Sequence, residues 1–276
     1  MRRFLTIPSL TAAFLAAMAA APSAFAAAKL PALCTPGKAP AARVAVVVDG
    51  ATLALDDGRV VTVAGIDAPL PPLSSPDRPA PIAEAAKAAL ALRTAGAGAS
   101  VKVAIIGDKP DRYGRWRANV FSADGYLIAA AAVADGMARV HRLPGDPACV
   151  LALLDVERGA RIAARGMWAD PQYRIRSASD AALAEETGLY QLVAGTVLSI
   201  GHGDAIIFVN FGRDYGHDFT VMMTLAAAKT LATAGIEVDA LAGKRVLVRG
   251  MIEASGGPAI RLAEPTDIEI LDDGDV

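Results

Sequence analysis

The chain has few aromatic residues, few cysteines and no surplus of positive charge. Aromatics make up 5% of its 276 residues, and there are 2 cysteines, 3 histidines and a net charge of −2. Two cysteines exclude a disulfide-dense scaffold and a thiolate zinc cluster, which needs three or four converging ligands. No Gly-rich phosphate-cradling loop and no serine nucleophile elbow occurs, so P-loop and α/β-hydrolase chemistries are set aside. Beyond the first 26 residues no apolar run is long enough to span a bilayer. The hydrophobic content of 54%, inflated by alanine, is ample for a packed core and argues against disorder.

The N-terminus is where apolar residues concentrate. Arg2 and Arg3 precede a run from Leu10 to Ala21, and Ala24-Phe25-Ala26 has the small-x-small form that signal peptidase accepts. Residues 1–26 are therefore expected to be a signal peptide, residues 27–42 a Pro- and Ala-rich arm, and the protein periplasmic or secreted. Cys34 and Cys149 survive that cleavage. In an oxidising compartment they are expected to form one disulfide; two free thiols are the alternative.

Charge divides the rest in two. From Arg43 to Tyr173 there are 15 basic and 14 acidic residues, a balance of +1. From Ser177 to Val276 there are 6 basic and 15 acidic, a balance of −9. A surface for polyanions should be basic, so the second half is a poor candidate for nucleic acid.

The first half reads as a strand meander. Val44–Val48, Thr52–Leu55 and Val60–Ile66 are joined by Asp49-Gly50 and Asp56-Asp57-Gly58 turns. A helix follows over Ile82–Thr94, then strands over Ser100–Ile106 and Trp116–Phe121, then helices over Leu127–Ala134 and Ala148–Arg165. This order predicts an α+β unit built on a five-stranded OB-type barrel, residues 43–173. Residues 174–188 are polar and read as a linker. Residues 189–271 again give three strands, a helix (Ala226–Ala234) and two strands, and predict a second, smaller OB-like barrel.

Five motifs in order carry a resemblance. Asp49-Gly50-Ala51-Thr52, Thr62 to Leu70 (T-V-A-G-I-D-A-P-L), Asp111-Arg112-Tyr113-Gly114-Arg115, Gly136 to Val140 and Gly166 to Pro171 follow the pattern of the thermonuclease (staphylococcal-nuclease-like) family. The resemblance implies an OB-type barrel and calcium-dependent phosphodiester cleavage. Such chemistry needs carboxylates for a hard cation, a base for water, and arginines for the phosphate.

By the same resemblance, Asp67 matches a metal ligand and Arg115 a phosphate clamp. Arg112, Tyr113 and Arg115 match substrate contacts. Ala51 stands where the family has its other metal carboxylate, Thr62 where it has the first clamp arginine, and Leu70 where it has the usual base. One carboxylate is a poor calcium site, so no cofactor is expected unless residual Ca²⁺ binding survives at Asp67. Other roles stay open: Asp49 as a turn residue, Asp67 as a cap where the chain leaves the barrel, Arg115 and Tyr113 as internal contacts. The His141-Arg142-Leu143-Pro144 stretch holds no tyrosine where the family faces a nucleotide ring with one.

The leading expectation is a catalytically degenerate exported protein with a binding or structural role. One alternative is an active phosphodiesterase with a rearranged site that recruits Asp77 or Glu84. Another is a protein-interaction module. Partners are nucleic acid through the first half, or protein through the acidic second half. His202-Gly203-Asp204 and the Asp214–Asp218 stretch place histidines beside carboxylates, and Gly-rich turns are the simpler reading of both.

Overall fold

The computed structural model describes residues 34–71, 80–94, 98–141 and 147–272. The expected signal peptide, residues 27–33 of the N-terminal arm, Asp77 and Arg142–Pro144 lie outside the described residues.

The first unit begins with β1 (Ala41–Val47), β2 (Thr52–Leu55) and β3 (Val60–Val63), an antiparallel meander. Asp49 closes the first turn by accepting from the Ala51 amide at 2.8 Å. Gly50 is needed there because a Cβ would come within 2.9 Å of the Ala86 and Ala68 methyls. β4 (Ile66–Asp67) leaves the barrel, so the run expected as one strand from Val60 to Ile66 is broken at Ala64-Gly65.

α1 (Pro81–Arg93) precedes β5 (Ser100–Ile106) and β6 (Arg115–Phe121). β6 lies parallel to β3 and antiparallel to β5, and β5 returns to β1, closing a barrel of order β1-β2-β3-β6-β5. Period-2 alternation sends Leu53, Val61, Val63, Val101, Val103, Ala118 and Val120 inside, all essentially unexposed. α2 (Ile128–Ala134) and α3 (Pro147–Ile162) pack against each other, and the two-residue β7 (Arg139–Val140) between them pairs with β4. Cys34 and Cys149 form a buried disulfide with Cα atoms 5.6 Å apart, tying the N-terminal arm to α3.

The segment expected as a linker is folded. β8 (Arg176–Ser177) pairs in parallel with β9 (Tyr190–Thr196), and a 3-10 turn over Ala181–Glu186 buries Leu183 in the second core. Arg176 and Glu186 form a partly buried ion pair across it. A two-residue strand and a single buried leucine leave no periodicity to read, so polar composition dominated the expectation.

β10 (Ser199–His202) follows β9 after a break at Val197-Leu198. Then come β11 (Ile206–Asn210), β12 (Thr220–Thr224), α4 (Leu225–Thr233), β13 (Arg245–Ser255), β14 (Gly257–Arg261) and β15 (Ile268–Ile270). The sheet order is β10-β11-β12-β14-β13-β9-β8, with β15 on β13. β12 and β14 are parallel, as β3 and β6 are in the first unit. β9 and β10 are two halves of one bent stretch, one half on β13 and the other on β11.

An ionic cluster joins the units. Glu157 of α3 is 0% exposed and Arg249 of β13 is 2% exposed. Arg249 donates to Glu157 Oε2 at 2.8 Å through Nη2 and to the Val140 carbonyl at 3.3 Å through Nη1. Its Nη2 also reaches Glu269 of β15. Arg161 of α3 donates to Glu157 at 2.9 Å and to Glu269 at 3.3 Å. Glu157 also accepts from the Val140 amide at 2.7 Å, so the same carboxylate anchors β7. Charges taken from water are tolerated only when paired and hydrogen-bonded, and here Glu157 meets two arginines and Glu269 three, the third being Arg158 at 3.6 Å.

Candidate functional site

β4 and β3 carry the positions that the motifs single out. Asp67 ends β4 opposite Arg139 of β7. Arg139 Nη2 donates to Asp67 Oδ2 at 2.7 Å. Its Nη1 donates to the Tyr190 carbonyl at 3.0 Å, and its guanidinium lies 5.2 Å from the Tyr190 ring centroid. Tyr190 opens β9, so the second unit helps to hold the cation that neutralises Asp67. The Tyr190 ring also lies 4.9 Å from His141, at the end of β7. Its hydroxyl donates to the Val140 carbonyl at 3.4 Å, and burial pushes the phenol up to about 12.

The other positions do not complete a cation site. Ala51 is buried and offers only backbone, and its amide already donates to Asp49. Leu70 is an exposed hydrocarbon. Glu84, the described candidate for a substitute base, sits exposed in the first turn of α1. Among the described residues, no three His, Cys, Asp or Glu side chains converge. A calcium ion needs six to eight oxygens, and the donor set at Asp67 offers one carboxylate that an arginine already engages. The residues present therefore do not fit calcium.

A cationic cleft is present nearby. Arg115 starts β6, and its register with β3 sets Val60 beside Arg115 and Thr62 beside Arg117. Side chains at Thr62, Arg115 and Arg117 share one face by strand alternation. With Ile106, Asp108, Lys109 and Asp111 they line a cleft of about 370 Å³, where three cations face two carboxylates. The Thr62 hydroxyl is buried and has no hydrogen-bond partner.

Arg115 is itself engaged. Its Nε and Nη2 both lie 2.9 Å from Asp111 Oδ2, and its amide donates to Asp111 Oδ1 at 2.9 Å. Asp111 also accepts from the Tyr113 amide at 2.8 Å. The Arg115 backbone bond, aided by the guanidinium and the Tyr113 amide, holds the Asp111 carboxyl below its usual range. Tyr113 is 66% exposed, with Arg112 4.8 Å and Arg115 5.1 Å from its ring centroid. The D-R-Y-G-R loop is thus a self-contained turn presenting an aromatic ring between two cations.

The histidines elsewhere make pairs rather than clusters. His202 lies 2.9 Å from Asp239, and His217 lies 3.0 Å from Asp214, both exposed.

Sequence reasoning missed Arg139 and Tyr190. Arg139 lies within the Gly136 to Val140 motif. Pairing to Asp67 across 72 residues leaves no local signal, and Tyr190 reaches the site only because the second unit packs there.

Residues 60–170 match the family model described as Staphylococcal nuclease homologue. That span holds β3 to β7 and α1 to α3, and it carries three of the five motifs and all but the last residue of a fourth; the D-G-A-T turn lies before it. This part of the chain is a staphylococcal-nuclease-like domain. No curated protein matches the chain.

Proposed function

We propose that this is an exported protein in which a nuclease-like domain has lost phosphodiester hydrolysis and serves a binding or structural role. The observation that carries the reading is the state of Asp67. It is the one carboxylate at a position matching a family ligand, and Arg139 occupies it. Ala51, Thr62 and Leu70 supply no second carboxylate, no first clamp and no base. Each lost group of this kind costs about 10²–10⁴ in rate, though such losses are not additive.

Export is supported by the signal-peptide pattern of residues 1–26 and by the buried Cys34–Cys149 disulfide. Among the described residues no helix is long and apolar enough to cross a membrane. The shared strand order, with β12 and β14 parallel where β3 and β6 are, supports reading the second unit as an OB-like barrel docked on the first.

The cleft of Thr62, Lys109, Arg115 and Arg117, with Tyr113 beside it, supports retained affinity for phosphate-bearing single strands in the first domain. The deciding assay is calcium-dependent cleavage of single-stranded DNA and RNA by the purified protein beside Arg115→Ala. The two should be indistinguishable from background. Turnover that disappears in Arg115→Ala would overturn the reading. Residual binding should weaken steeply with salt; binding that salt leaves unchanged would count against a phosphate contact.

A further inference from the structure

The second unit carries a groove on the outer face of β10, β11 and β12, remote from Asp67 and Arg115 in the chain's organisation. Its floor follows two rows across the sheet. Gly201, Phe208 and Met222 are paired neighbours in one row, and Ser199, Asn210 and Thr220 in the next. The groove measures about 340 Å³, at the small end of ligand sites. Gly201 keeps it open: on the strand beside Phe208, it leaves the ring without a cross-strand side chain above it. Ser255, at the end of β13, and Tyr215 complete the wall.

Tyr215 is held out by a braced loop. Asp214 accepts from the Gly216 amide at 3.2 Å and pairs with His217 at 3.0 Å. The Asp218 carboxylate accepts from the Asp214 amide at 2.7 Å, and the Asp218 amide donates to the Asp214 carbonyl at 2.7 Å. Gly212 admits the Asp218 side chain where a Cβ would sit, and Gly257 packs against the Asp218 and His217 backbone. The loop therefore presents a 65% exposed tyrosine ring in a fixed place. A preorganised aromatic loses little entropy on binding.

The chemistry of the lining selects the ligand. Among the described residues, none of the side chains lining the groove is charged. The polar ones are a primary amide and hydroxyls (Asn210, Thr220, Ser255, Tyr215), and the rest is aromatic or thioether surface. No cation is present for a phosphate, in a half of the chain whose balance is −9. No lining carboxylate is present for an ammonium. Flat apolar surface beside neutral donors and acceptors matches a sugar ring, which has a C–H face and a hydroxyl rim. The geometry points to a binding site for a neutral oligosaccharide, with Tyr215 and Phe208 as platforms and Thr220 and Ser255 as hydrogen-bonding groups, while the buried Asn210 amide donates to Ser199 at 3.3 Å.

The test uses the purified full protein. Saturation-transfer NMR and titration calorimetry are run with neutral glucose and N-acetylglucosamine oligomers, and with an oligo-dT as the anionic control. Two variants probe the groove. Tyr215→Ala removes the platform. Gly201→Leu fills the floor, where a Cβ meets only Asn210 and Phe208 atoms at ordinary contact distance and no positive φ forbids a side chain. Saturation transfer from at least one neutral oligomer, weakened about tenfold or more by each variant, with circular dichroism and melting unchanged, is expected. No transfer from any neutral oligomer at millimolar concentration would overturn the assignment. So would sugar binding that neither variant weakens, or a groove that takes oligo-dT and no sugar. None of these outcomes depends on whether the first domain cleaves nucleic acid.

Discussion

Arg139 and Asp67 face each other across the short β4–β7 ladder, and the guanidinium stands where a cation would be drawn. The side chain of Arg139 is 12% exposed and that of Asp67 37%. The carbonyl of Tyr190, in the second unit, accepts from the same arginine. The pair converts a potential ligand into part of a domain contact.

Replacing Arg139 should free Asp67 without creating activity. Arg139→Met is expected to cost about 1 kcal/mol, since the pair is partly solvated, and to leave calcium-dependent cleavage at background. Its value lies in combination. On the proposed reading, Ala51→Asp, Thr62→Arg and Leu70→Glu together would supply the ligand, clamp and base that the resemblance implies. Adding Arg139→Met should raise cleavage above that of the triple variant, because Asp67 becomes available. Equal rates with and without Arg139→Met, in folded proteins, would sink the idea that the arginine blocks the site.

The two units should unfold together. Removing one member of a buried ion cluster strands the others, at a cost of about 3–5 kcal/mol. Arg249→Met is expected to lower the urea midpoint by a corresponding amount. Arg261→Met removes an exposed pair with Glu253 and should change stability by about 0.5 kcal/mol or less. A midpoint for Arg249→Met close to that of Arg261→Met would show that the cluster does not hold the units.

Acid should attack the same cluster. Burial works to raise the Glu269 carboxyl, but the Arg249 and Arg161 guanidiniums outweigh it and hold it below its usual range. A depressed folded value means the unfolded chain takes up its proton first as pH falls. The stabilisation is present above about pH 4.5 and is lost as pH drops through the folded value. Glu269→Gln should flatten the stability profile on the acid side. An unchanged acid slope would remove Glu269 from the account.

Tyr190 predicts the alkaline limb. Its phenol stays protonated to about 12 in the folded protein, while the unfolded chain ionises near pH 10. Stability should therefore fall as pH rises between those values. Tyr190→Phe should lose the Val140 hydrogen bond and flatten that fall. Melting temperatures across the alkaline range decide it.

The disulfide closes a sequence separation of 115 residues. Loop entropy assigns such a closure about 4–5 kcal/mol at most. Cys34→Ser is expected to destabilise by about 2–5 kcal/mol, read by urea titration. A loss that reducing agent fails to reproduce in the unaltered protein would point to packing around Cys34 instead.

Local signals made much of this fold legible. The Asp49-Gly50 turn, the alternation in β3, β5 and β6, and the alanine-rich helices each reflect forces acting within a few residues. The residues on which the proposed loss rests, Ala51, Thr62 and Leu70, are likewise visible as residue types. Residues 174–188 were not legible, because β8 exists only by pairing with β9, and Leu183 is buried only by a core assembled from distant strands.

The amino-acid order thus determined the motif sequence, the residue types Ala51, Thr62 and Leu70 on which the proposed loss rests, and the uneven charge of the two halves. Which charges remain free was decided by tertiary structure alone. The −9 of the second half includes Glu269, neutralised by Arg249 and by Arg161 of the other unit, and Asp67 is neutralised by Arg139. Coulomb attraction depends on distance in space, and these partners lie 72 and 108 residues apart for the Asp67 and Arg161 contacts. Only the folded chain brings them together.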